Sequence, residues 1–247
     1  MRLFLTSSPC SNQVPENISI PCILNEDNDF VKELSADWKP DSRGLIICAS
    51  PENFDLNDEM ADTFLKAFTF HGLTLSCMEL CDARNEEQIE ELLKNRDLII
   101  LGGGHVPTQN EFFRRLHLRE RIRGFEGIIM GISAGTMNCA ETVYAQPELE
   151  GESTDPDYQR FIPGLGLTSL MVLPHYQQVK DYILDGKRLF EEITYPDSFG
   201  KCFWVLIDGS YILVRDGKSL LCGESYLIHD GKIQKFCKKG EKRVIEG

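Results

Sequence analysis

The chain has no apolar stretch approaching the roughly 18 residues needed to cross a bilayer, and the short apolar run after Met1 falls well short of a secretion-signal core. These absences make the cytoplasm the expected compartment and leave no membrane partner. Basic residues are scarce beside acidic ones, 26 against 39, for a net charge of -13. Such a field repels phosphate backbones and anionic lipid, so nucleic acid is not an expected partner. Metal-ligand spacing is missing as well. The nine cysteines are scattered and mostly set among apolar neighbours, and the nearest pair, Cys77 and Cys81, has no companion His or Cys at zinc spacing. They read as buried thiols of a reducing compartment, with no disulfide framework and no metal or other cofactor required. Internal repeats and low-complexity tracts are also absent.

What is present is an ordinary globular composition, 42% hydrophobic and 26% charged, in 247 residues that are enough for one core. We therefore expect a single domain over residues 1–247. Apolar runs at 3–6, 44–50, 97–101 and 127–132 read as strands buried on both faces, with a further strand at 73–78. Between them, helical rhythm marks 57–71, 86–94 and 111–124, the last basic on what reads as a solvated face. The polar segment 9–43 carries one helical stretch near 30–35. After a strand near 170–173 and a predicted helix over about 179–193, short strands at 202–207, 210–215, 219–222 and 224–228 are separated by Asp-Gly and Gly turns, as in antiparallel hairpins. The expected fold class is α/β, a mostly parallel sheet flanked by helices, with an antiparallel extension at the carboxyl end.

The strongest chemical signal is Gly131-Ile132-Ser133-Ala134-Gly135, a G-x-S-x-G pentapeptide between a strand and a predicted helix at 134–140. Glycines on both sides let the backbone turn sharply and hold the serine hydroxyl exposed, while the helix amides behind it favour an oxyanion. The pattern alone occurs by chance; its flanks make Ser133 a candidate nucleophile. Of the five histidines, His175 in Leu173-Pro174-His175-Tyr176 follows an apolar strand, where sites of open α/β sheets collect. Asp208 in Ile207-Asp208-Gly209 also follows a strand and could orient the imidazole, although by sequence context alone Asp-Gly there is more often a hairpin turn. Gly102-Gly103-Gly104 ends another strand. A backbone amide of this run suits an oxyanion donor opposite that of Ala134, and a phosphate loop is the weaker alternative because the lysine and Ser/Thr of a P-loop are missing.

With Leu101-Gly-Gly-Gly104, Gly131-Ile-Ser-Ala-Gly135, Leu173-Pro-His175-Tyr and Ile207-Asp208-Gly209 in this order, the chain resembles the serine peptidase family of dipeptidase E and cyanophycinase over most of residues 40–225. The resemblance implies a fold similar to flavodoxin and the class I glutamine amidotransferase domain. It implies Ser133 as nucleophile, His175 as general base, Asp208 as acid, the Gly104 and Ala134 amides as oxyanion hole, and a small peptide substrate. A homodimer is left open. Three departures stand out. Asp208 falls where dipeptidase E carries glutamate; His105 replaces an asparagine near substrate and is a candidate substrate contact; and the arginine-containing stretch of aspartyl dipeptidases is not clearly reproduced at 181–188. The acidic run 148–157 lies between nucleophile and base and is either a solvated loop or a contact for a substrate cation. The alternative to an enzyme is a catalytically silent domain that binds a small ligand or protein. Glutamine amidotransfer is disfavoured because that chemistry uses cysteine at the elbow.

Overall fold

Strict alternation along the apolar strands builds the centre of the molecule. In a strand successive side chains point to opposite faces, and Leu3 and Leu5 pack on one side of the sheet with Leu45, Ile47, Ile99, Leu101 and Ile129. Phe4, Ile46, Leu98, Ile100 and Met130 pack on the other. Both faces are therefore covered. Helix Phe54–Phe70 lays Phe64 and Phe68 on the second face, and helix Val106–Arg115 lays Phe112 and Phe113 on the first. The computed structural model describes every residue except Asn12, Asn17 and Gly247.

The main sheet has eight strands in the order Lys242–Ile245, Lys218–Cys222, Tyr211–Arg215, Arg2–Thr6, Ile128–Ile132, Leu98–Leu101, Ser42–Ile47 and Leu75–Cys81. The five from Arg2–Thr6 onward are mutually parallel. The other three add antiparallel to one edge. This is the expected α/β sheet with its antiparallel extension. That extension divides, however, between two sheets, because Cys202–Leu206, Ser225–His229 and Lys232–Cys237 join Met171–Leu173 in a separate four-stranded sheet. Both Asp-Gly hairpins form: Asp216-Gly217 and Asp230-Gly231 have positive φ at both positions, as two-residue hairpin turns require.

Two predicted helices are interrupted, each at a residue in the left-handed region. The basic helix ends at Arg115 and restarts as Leu118–Arg121 after His117, whose φ is 48°. The helix expected over 179–193 is replaced by the short helix Tyr176–Val179, the hairpin Ile183–Leu184 with Lys187–Arg188, and a helical segment Leu189–Thr194. Asp185 and Gly186, with φ of 52° and 78°, form the hairpin turn that breaks the helical path. Among the described residues no helix is long and apolar enough to cross a membrane.

Candidate active site

Ser133 stands between strand Ile128–Ile132 and helix Ala134–Asn138 with φ 51° and ψ -113°, a backbone region that costs a non-glycine residue about 1–3 kcal/mol. The neighbouring glycines allow that conformation for separate reasons. A Cβ on Gly131 would lie 2.7 Å from Thr136 Cα, where the chain folds back over its own strand. A Cβ on Gly135 would collide with the Leu101 carbonyl on the adjacent strand. The turn is also tied to the first strand. The Ser133 amide donates to the Thr6 carbonyl at 3.2 Å, Thr136 Oγ1 donates to the same oxygen at 2.7 Å, and Thr6 Oγ1 donates to the Gly131 carbonyl at 2.7 Å.

The helix after Ser133 has five residues, shorter than the 134–140 expected, so it contributes individual amides more than a summed dipole. Ala134, as its first residue, has no acceptor within the helix. Among the described residues neither its amide nor that of Gly104 donates to another protein group. Gly103 lies closest to the serine: a Cβ there would approach Ser133 Cβ to 3.3 Å. The glycine run thus passes Ser133 with backbone alone.

His175 and Asp208 emerge from neighbouring parallel strands, Met171–Leu173 and Cys202–Leu206, paired with Leu173 opposite Val205. His175 has φ 57° and precedes the short helix Tyr176–Val179, and its Nδ1 lies 2.7 Å from Asp208 Oδ1. With Nδ1 donating to the carboxylate, Nε2 remains as the ring's acceptor. The Asp-Gly pair at 208–209 is no hairpin, because the strands on either side of it belong to different sheets. Asp208 receives two further hydrogen bonds, from Ser7 Oγ at 2.7 Å and from Gln178 Nε2 at 2.6 Å. Burial alone would push its carboxyl up, but the bonds from His175, Ser7 and Gln178 and the His175 charge outweigh that and hold it below the ordinary aspartate value.

Ser7 and Gln178 had no signal in the sequence. Ser7 is fully buried, and besides donating to Asp208 its hydroxyl accepts the His175 backbone amide at 2.8 Å. A buried serine just beyond a strand is a common occurrence, and only the meeting of residues 168 and 201 positions apart in the chain gives this one a task.

Ser133 and His175 line one cavity of about 230 Å³, walled by Met137, Pro147, Val179 and Leu189 and bordered by Glu148 and Tyr182. No hydrogen bond joins Ser133 Oγ to His175 among the described residues. A larger groove, of about 460 Å³, runs between helix Val106–Arg115 and Pro163–Leu165 and includes none of these groups.

Glu148 is an exposed residue at the cavity border, with protein packed around its carboxyl. That crowding, then the nearby charge of Glu152, pushes its carboxyl up to about 7, with His175 pulling the other way. His105 is not among the residues lining the cavity. Its Nδ1 lies 2.8 Å from Thr108 Oγ1 and its Nε2 2.8 Å from Glu152 Oε1, which fastens the acidic loop to the start of helix Val106–Arg115. Glu152 Oε2 accepts the amides of Glu148 and Leu149 at 2.8 and 3.0 Å, and Asp185 accepts those of Gly151 and Ser153. The acidic run is therefore an anchored loop with one carboxylate directed to the cavity border.

The model of peptidase family S51 matches residues 52–222, which include Ser133, His175 and Asp208. No curated protein matches this sequence closely enough to count as a relative. Among solved structures, the chain is similar to a Listeria monocytogenes EGD-e protein provisionally named peptidase E, with a TM-score of 0.57 and 16% identity over 96% of this chain and 98% of that one. At that identity the likeness carries the fold alone.

Proposed function

Because the chain belongs to peptidase family S51, and is thus a serine-type peptidase, we propose that it hydrolyses a small peptide through an acyl-enzyme on Ser133, with His175 as base and Asp208 as the acid that orients it. The observation that carries this reading is the strained Ser133 turn opening into the same cavity as a His175 ring already bonded to Asp208. His175 Nε2 takes the proton as the Ser133 Oγ–C bond forms at the scissile carbonyl. The Gly104 and Ala134 amides, both without protein acceptors, receive the oxyanion. Collapse breaks the C–N bond, and the His175 proton passes to the leaving amine. Water, deprotonated by the same ring, then splits the ester and returns the proton to Ser133.

The chain acts in this reading as one catalytic unit. The pieces come from Ser7 at one end of the chain to Asp208 near the other, and free thiols at all nine cysteines suit work in the cytoplasm. The test is labelling with a small sulfonyl fluoride, read by intact mass and peptide mapping on wild type, Ser133→Ala and His175→Ala. One adduct per chain, on Ser133 and dependent on His175, is the expected result. A folded wild-type protein that takes no label would replace this reading with a silent binding domain.

A further inference from the structure

The walls of the Ser133 cavity carry information about what enters it. At about 230 Å³ it is smaller than the roughly 300–1,000 Å³ pockets that enclose drug-sized ligands, and has room for about one residue. Met137, Val179 and Leu189 give it an apolar wall, and no lysine or arginine is among the described residues that line it. Of the cations next in sequence to the lining residues, Arg188 pairs with Glu192, Lys187 donates to the Ser153 carbonyl, and Lys180 lies 3.9 Å from Asp181. An acidic side chain entering this space would meet no counter-charge and would face Glu148, and a buried carboxylate without a partner is strongly disfavoured.

Glu148 has the opposite implication. Its carboxylate makes no hydrogen bond or ion pair among the described residues, although it borders the cavity that holds Ser133 and His175. The charged groups acting on it are the carboxylate of Glu152 and the ring of His175. Glu152 is already committed to His105 and to two backbone amides, which leaves Glu148 as an exposed carboxylate at the rim that is free to pair with substrate. A cationic group on a substrate held at Ser133 would lie within reach of this carboxylate and replace its water with a charge-assisted hydrogen bond.

Resting on the assignment of Ser133 as nucleophile, we propose that the cavity takes the amino-terminal residue of a short peptide with an apolar side chain, whose free α-ammonium pairs with Glu148. The side chain fills the space between Met137, Val179 and Leu189, and the carbonyl of the same residue is the one presented to Ser133. The α-ammonium is favoured over a lysine or arginine head because a cavity sized for one residue places that residue's own amine at the rim. Aspartyl peptides are poor substrates on this reading, since selectivity comes from a like charge at the rim as much as from the apolar fit.

The experiment compares kcat/KM for Leu-Leu, Asp-Leu, N-acetyl-Leu-Leu and N-acetyl-Lys-Leu in wild type, Glu148→Gln and Val179→Arg, with products identified by mass spectrometry. Leu-Leu is expected to exceed each of the others by about tenfold or more in wild type. Glu148→Gln should lose about tenfold on Leu-Leu, chiefly through KM, and narrow the gap to the acetylated peptide. Val179→Arg places a cation in the wall and should move the Asp-Leu to Leu-Leu ratio upward by about tenfold. Preference for Asp-Leu in wild type, equal turnover of free and acetylated Leu-Leu, or an unchanged Glu148→Gln overturns the inference; preference for N-acetyl-Lys-Leu assigns Glu148 to a side-chain cation instead and overturns it too. Should Glu148→Gln fail to fold, the wild-type comparison and Val179→Arg decide alone. Sulfonyl fluoride labelling of Ser133 without cleavage of any of the four peptides removes the substrate class and leaves the serine peptidase reading intact, whereas absence of label removes both.

Discussion

Thr6 and Ser7, adjacent at the carboxyl end of the first strand, hold opposite halves of the site. The Thr6 carbonyl accepts the Ser133 amide and the Thr136 hydroxyl, while the Ser7 hydroxyl donates to Asp208 and accepts the His175 amide. One peptide unit therefore sets the spacing between the Ser133 turn and the His175–Asp208 pair. It lies outside residues 52–222, the stretch that matches the family model.

Removing the Ser7 hydroxyl should separate positioning from binding. Ser7→Ala leaves the part-buried His175 amide without its acceptor and Asp208 short of one donor, which costs about 1–3 kcal/mol in stability. We expect kcat to fall about ten- to a hundredfold with KM little changed, and partial rescue by Ser7→Thr. Steady-state kinetics beside a denaturant midpoint checks this, and an effect confined to the midpoint would reduce Ser7 to a structural role.

Asp208 should be sensitive to both charge and length. Asp208→Asn removes the carboxylate that supports the protonated His175 ring, with an expected loss in kcat on the order of 10³ to 10⁴. Asp208→Glu, although it restores the residue carried by dipeptidase E, should also lose activity, because Oδ1 already lies 2.7 Å from Nδ1 and an added methylene overshoots. The Asp208 carboxyl is held below its ordinary value. Its stabilising effect is thus full above the unfolded value, about 3.9, and is lost as pH falls through the lower folded value. Melting curves of wild type and Asp208→Asn should converge in strong acid and differ most near neutrality.

Glu148 predicts a trend in the other direction. A carboxyl raised to about 7 in the folded state, against roughly 4.3 when unfolded, disfavours folding as pH rises through that window. Glu148→Gln should therefore melt above wild type at pH 8 and with it at pH 4. Thermal melts across that range read the difference, and parallel curves would remove the proposed crowding of the carboxyl.

The elbow glycines should tolerate no side chain. Gly135→Ala sets a methyl group against the Leu101 carbonyl, where backbone must move on both sides. A loss of at least about 3 kcal/mol is expected, at the upper end for overpacking. Gly124→Ala, where nothing lies within 4 Å but φ is 84°, should cost less and controls for backbone conformation alone. Urea midpoints of the two variants make the comparison.

Much of the parallel sheet was legible because its strands are short, apolar and buried on both faces, so pattern and burial agree without reference to distant residues. Gly131 was legible because the fold-back against Thr136 that it allows is local, whereas the closest approach at Gly135, to the Leu101 carbonyl, comes from a strand more than 30 residues away. The segment 176–197 was not. Its helical rhythm is overridden by the turn at Asp185 and Gly186, and Asp185 is engaged by the amides of Gly151 and Ser153, more than 30 residues away. The partition of the last strands between two sheets was likewise hidden, since short alternating strands pair equally well with several neighbours until the long-range packing chooses among them.

By itself the sequence determined the α/β class, the turn at Ser133 and the order of Ser133, His175 and Asp208, because each depends on local backbone conformation or on residues a few positions apart. Tertiary structure alone decided that the Asp-Gly pair at 208–209 bridges two sheets, that Ser7 is bonded to both His175 and Asp208, and that His105 fastens the loop bearing Glu148. Those are hydrogen bonds between side chains remote in sequence, and their partners are fixed only when strand ends from separate parts of the chain are brought together.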